Sequence, residues 1–219
     1  MSANIVLNCK DEVFAKKILN DLEEFQKEAM NFFKIDKLSR NFSVQIYDSL
    51  TNFVDFVTFN GKEPKRYHKG TVATARNGVV HILNLKLYTQ NEYHKNNNYD
   101  DYIKTLKHEF VHICHEEILK DKNIMPPLLM EGIATRLARQ TKYENKIEEI
   151  KCSADDLKFN FYTTKNAYTY AYEIMGYLMH EKSHDKLLKI LSEPQKENVD
   201  KLIKNTNHFL KLNQNTIEK

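Results

Sequence analysis

From Asp11 to about Lys34 the apolar residues Phe14, Ile18, Leu22, Phe25, Ala29 and Phe32 recur every three or four positions. That period predicts an amphipathic helix. A short apolar run at 4–8 ahead of it reads as a strand, as does FSVQIY at 42–47. Asp48 or Ser49 can then cap a helix carrying Leu50, Phe53, Val54 and Val57. Gly61, Pro64 and Gly70 mark a loop, and two strands follow at about 71–75 and 79–87. They meet at Asn77-Gly78, a pair that tolerates the positive φ angles of a tight hairpin. Residues 91–99 are polar and Asn-rich, a loop. Beyond them the pattern predicts helices at about 100–119, 127–140, 143–150, 166–182, 184–192 and 197–211. Pro126, Pro127 and Pro194 stand at boundaries, and the terminal NQNTIEK reads as frayed.

Strands first and helices later predict an α+β fold. A small N-terminal sheet with helices leads into the 100–119 helix and an α-helical C-terminal lobe, with a cleft between. The length of 219 residues fits one domain, 1–219, with lobes at 1–99 and 100–219.

Composition narrows the functional classes. The hydrophobic fraction of 41% and charged fraction of 29% are those of a soluble globular protein. Thirty-three basic and 30 acidic residues leave a net charge of +3, interleaved and not massed, which argues against a nucleic-acid partner. Cys9, Cys114 and Cys152 are too scattered for a disulfide framework or a metal knuckle and read as buried or idle thiols. No signal peptide precedes the first helix, and no apolar run approaches the roughly 20 residues of a membrane span. A reduced, cytoplasmic protein without a membrane partner is the expectation, and a chain trimmed of its leader would look the same.

The 100–119 segment carries the chemistry, in the run KHEFVHICHEE. His108 and His112 are four residues apart, so on a helix they lie roughly 40° apart around the axis and one turn along. Two imidazoles so related can converge on one ion, and zinc accepts neutral histidine nitrogens. Glu109 is rotated by about 100° from His108, off the ligand line but beside the metal, where it can take a proton from an activated water. His115 shares the stripe but lies two turns from His108, roughly 10 Å along the axis, too far to share the ion. It reads as a second-turn polar residue or part of the cleft wall.

A third ligand is needed, and Glu131 in MPPLLMEGIATRLARQ is the better candidate. The prolines end a loop and open a helix, where a missing N–H costs least. Glu131 then sits about a turn in, beside Gly132, with Leu128, Leu129, Ile133 and Leu137 as a docking face.

HEFVH, the eighteen residues 113–130, and EGIAT together resemble the HExxH…E-G-x-A pattern of the gluzincin zinc metallopeptidases. The spacing is similar to that of gluzincin aminopeptidases and of compact bacterial MA-like peptidases. The likeness extends to Pro126 and loosely to residues 42–192. It implies one catalytic zinc held by His108, His112 and Glu131, with Glu109 as general base. It also implies hydrolysis of a peptide bond in a peptide or protein substrate. Leu128 stands where tryptophan is frequent, Lys107 where a small or apolar residue is usual, and a G-x-M-E-N segment is missing. An internal peptide bond is therefore favoured over an amino-terminal one. Two other classes stay open: a non-catalytic zinc-binding interaction protein on this scaffold, and a zinc hydrolase of a non-peptide amide.

Family members commonly add a tyrosine or histidine that steadies the oxyanion. The resemblance points to Tyr168, ahead of the pair Tyr177-Leu178, with Tyr162, Tyr170 and Tyr172 as alternatives. Tyr170, Ile174, Tyr177 and Leu178 form a core stripe, while His180 and His184 read as surface residues. Thr135 could hydrogen-bond a ligating histidine or its own backbone. The 79–87 strand could be a substrate platform or an interior strand.

Overall fold

The computed structural model describes residues 6–8, 11–58, 68–121, 126–144 and 147–217. It is an α+β protein that divides into two compact units, Met1–Glu117 and Ile118–Lys219. Gly61, Pro64, Cys9 and the first residues of the 4–8 run lie outside the described residues.

The first unit opens with strand β1 (Val6–Asn8) and helix α1 (Glu12–Phe32). Asp11 starts α1 by accepting a hydrogen bond from the Phe14 amide at 3.0 Å. Ile18, Leu22, Phe25, Ala29 and Met30 form its buried face, on the period read from the sequence. Strand β2 (Ser43–Tyr47) leads into α2 (Leu50–Thr58), whose first turn is capped by Ser49 through the Asn52 amide at 3.3 Å.

Strands β3 (Ala73–Arg76) and β4 (Val79–Leu83) form the expected hairpin. Asn77 and Gly78 take φ of 53° and 80°, as a two-residue turn matched to strand twist requires. The sheet order is β1-β2-β4-β3, with β2 parallel to β1 and β4, and β3 antiparallel to β4. Val44 pairs with Val80, and both are fully buried.

The strand expected over 79–87 is shorter, and that reading is corrected. Asn84 accepts from the Leu87 amide at 2.9 Å and starts a new helix, α3 (Leu85–Gln90). Its alternating NLKL pattern satisfies either period over so short a run. Helix α4 (Tyr99–Ile118) begins with a reciprocal cap, in which Asp101 N donates to Asn98 Oδ1 and Asn98 N to Asp101 Oδ2. Phe110 of α4 meets Phe25 and Phe42, at ring separations of 6.5 and 4.7 Å, and Tyr102 meets Tyr88 edge-on at 5.2 Å. The division between units falls at the end of α4. The lobe boundary expected at 99 and 100 lies ahead of this helix, whose rings pack inside the first unit.

The second unit is helical among its described residues: α5 (Pro127–Leu137), α6 (Ala154–Phe159), α7 (Ala167–Glu181), α8 (His184–Ser192) and α9 (Val199–Ile217). The helix expected at 143–150 is not found over 147–150. There the Asn207 amide takes both backbone groups of Ile150, accepting from its N–H at 2.7 Å and donating to its carbonyl at 3.2 Å. Those groups are satisfied without a helix. Helix α6 was not expected; Ser153 and Asp156 cap it reciprocally. Helix α9 runs to Ile217, past the expected end at 211. The stripe Tyr170, Ile174, Tyr177 and Leu178 is buried, and His180 and His184 are exposed.

Candidate functional site

Helix α4 presents eight consecutive buried residues, His108 to His115. A helix buried around its whole girth must account for each polar group it carries. His108 and His112 meet one turn apart, Nε2 to Nε2, at 3.0 Å, with rings nearly perpendicular at 87°. Two nitrogens bound to one zinc at about 2.0–2.1 Å in tetrahedral array are about 3.3 Å apart. The observed convergence is close to that spacing. Without metal the same approach permits one ring to donate an N–H to the other.

Glu109 adds a carboxylate, and the three ligand atoms lie within 4.8 Å of one another. The three residues are 7%, 9% and 9% exposed, in chain order. Nitrogen–nitrogen–carboxylate is a donor set that suits zinc. The helix sets this geometry locally, because i and i+4 share a face while i+1 turns aside. Lys107, just ahead of the motif, holds its ammonium over the Phe25 ring at 5.3 Å.

Of the two readings of His115, part of a cleft wall is corrected: it is a buried polar residue two turns along α4 from His108. It is 1% exposed and stacks on Phe33 at 5.9 Å with planes 19° apart. Cys114 beside it is fully buried, and burial pushes its thiol far up, with the Glu117 charge adding to the shift. Burial also raises the Cys152 thiol, to about 11, with Asp156 contributing. Both are poor nucleophiles at neutral pH.

The second unit carries the other expected residues. Glu131 on α5 is 4% exposed, and its Oε1 accepts a hydrogen bond from the Tyr162 hydroxyl at 3.0 Å. Thr135 takes the second of its two readings: its hydroxyl donates to the carbonyls of Glu131 and Gly132, at 2.8 and 2.9 Å. Tyr168 is half-buried, stacked on Tyr143 at 5.6 Å and edge-on to Phe161 at 5.3 Å. Tyr170 and Tyr172 are buried at 6% and 4%.

Tyr162 is the residue that sequence reasoning placed only among alternatives. It lies in a 3₁₀ turn, Phe161–Thr163, and its bond to Glu131 spans 31 positions. No periodic signal joins such positions. Of the two readings of the 79–87 strand, substrate platform or interior strand, the structure shows the second. β4 is interior, bonded to β2 on one side and β3 on the other, so the end strands of the described sheet are β1 and β3.

No helix among the described residues is long and apolar enough to cross a membrane. No protein-family model matches the chain, and no curated protein matches it.

Proposed function

We propose that the chain is a zinc-dependent peptidase of gluzincin type, cleaving internal peptide bonds. The observation that supports it most is the convergence of His108 Nε2 and His112 Nε2 at 3.0 Å, with the Glu109 carboxylate alongside. The order and spacing of HEFVH and EGIAT support the rest. In this reading His108, His112 and Glu131 hold the ion. Zinc, when bound, supplies a Lewis acid that acidifies water and polarises a carbonyl.

The chain's own residues do the proton work. Glu109 accepts the proton of the attacking water and passes it to the departing amide nitrogen. Its partial burial strengthens its field on that water, since little solvent screens it. Tyr168 would donate its phenol O–H to the carbonyl oxygen as negative charge builds, without carrying charge itself.

Digestion of a mixed peptide library, read by mass spectrometry, tests the activity. The zinc-loaded protein should cleave internal bonds, and Glu109→Gln should keep zinc while losing nearly all cleavage, because an amide cannot accept the proton. Zinc uptake with no cleavage by the unaltered protein would favour a binding protein instead. Tyr168→Phe should lower kcat about a hundredfold, as for loss of one oxyanion donor, at unchanged zinc content. A normal kcat would return Tyr168 to its ring stack.

A further inference from the structure

Glu131 is a carboxylate at 4% exposure, and a buried carboxylate without hydrogen bonds is costly. Its backbone is fixed: the Thr135 hydroxyl closes on its carbonyl at 2.8 Å, and Gly132 lets the Ala171 carbonyl approach closely. At its side chain, Tyr162 donates from its phenol to Oε1 at 3.0 Å.

The tyrosine is 55% exposed, so it contributes little to the core. It stands edge-on to Phe161, which is 2% exposed, at 5.4 Å and 83°. The turn is tied further by the Thr163 and Thr164 hydroxyls, which both donate to the Asn160 carbonyl, at 3.0 and 2.9 Å. A ring that is mostly solvated, on a braced turn, with its hydroxyl on a buried acid, is better explained by the hydroxyl than by packing.

We propose that Tyr162 is the positioning residue for Glu131 as a metal ligand, an inference that rests on the zinc-ligand reading above. A carboxylate offers two oxygens, so a hydrogen bond to Oε1 is compatible with ligation through the other. The bond selects one rotamer in advance and lowers the ordering cost of taking up the ion. Groups that orient metal ligands in this way typically carry about 10- to 100-fold in metal affinity.

The test is a double-mutant cycle in zinc affinity, measured on the full chain by competition with a chelating dye. Tyr162→Phe keeps the ring and removes the hydroxyl; Glu131→Gln keeps the shape of the acid and removes its charge. Tyr162→Phe should weaken zinc about tenfold, with the melting temperature of the metal-free protein unchanged. Glu131→Gln should weaken it more, and adding Tyr162→Phe to Glu131→Gln should cost nothing further. A merely structural tyrosine would lower both backgrounds alike, which overturns the proposal. Wild-type affinity in Tyr162→Phe alongside a weakened Glu131→Gln also overturns it and leaves the ligand assignment standing. Wild-type affinity in Glu131→Gln removes that assignment itself, and the positioning role with it.

Discussion

His81 on β4 is an imidazole kept from water in a way no sequence pattern announced. Its ring stacks on Phe56 at 3.7 Å, its Nδ1 lies 3.0 Å from the Tyr47 hydroxyl, and the residue is 9% exposed. Burial first, and the Arg76 charge second, push its pKa down from 6.5 to about 4. Between those two values the unfolded chain binds a proton that the folded chain refuses. Stability is therefore full above about pH 6.5, falls as the pH drops toward 4, and loses nothing more from this group below that. The whole shift is worth roughly 2–4 kcal/mol. Urea unfolding of the wild type and of His81→Gln at pH 7.5 and 4.5 checks it, since other titrations cancel in the difference. Wild type should lose ground to the variant as the pH falls; a gap that stays constant would sink the argument. At this scale His108 and His112 of α4 were legible, because four residues on a helix fix a shared face. His81 and His115 were not, since burial of a lone histidine is decided by what folds over it.

Helices α5 and α7 show why an element can be found from sequence while its packing cannot. The Gly132 position reads as a removal of bulk beside Glu131, and the structure gives the reason: a Cβ there would lie 2.7 Å from the Ala171 carbonyl oxygen. Nearby, Arg136 donates through Nε to the Tyr172 carbonyl at 2.7 Å, lies over the Tyr172 ring at 3.5 Å and pairs with the buried Glu173 at 3.4 Å. Gly176 leaves the room that this guanidinium fills. Gly132→Ala should gain up to about 1 kcal/mol of helix propensity and lose roughly 1–3 kcal/mol to overpacking against backbone. The expected result is a lower urea midpoint, and a raised one would mean that the helices separate without cost. The elements with two or more clear turns, α1, α7 and α8, were readable by period. The short ones were not. Over 84–87 both periods fit, and the capping pair Ser153 and Asp156 was the sole local sign of the six-residue α6. At 147–150 a side chain 57 positions away replaces the helix.

For the whole molecule, the proposed metal binding would join site to fold. The histidine pair and Glu109 form one local cluster and were legible together; the hold of Tyr162 on Glu131 depends on how the second unit folds and was not. A ligand that binds the folded chain and not the unfolded one stabilises it by RT ln(1 + [L]/Kd), about 2.7 kcal/mol at a hundredfold excess over Kd. For a chain of this length each kcal/mol raises Tm by about 2–4 °C, so zinc should raise the melting temperature by roughly 5–10 °C. A chelator should reverse the rise. The exposed His180 and His184 could take up zinc weakly, so the doubly substituted His180→Ala, His184→Ala protein serves as a control and should keep the whole shift. Glu109→Gln should keep most of it, because the role proposed for Glu109 is with the proton and not the ion. His108→Ala and His112→Ala should each abolish it. A shift that survives loss of both His108 and His112 would put the zinc elsewhere, and the absence of any shift in the wild type at saturating zinc would leave the 3.0 Å contact as a hydrogen bond between two core histidines.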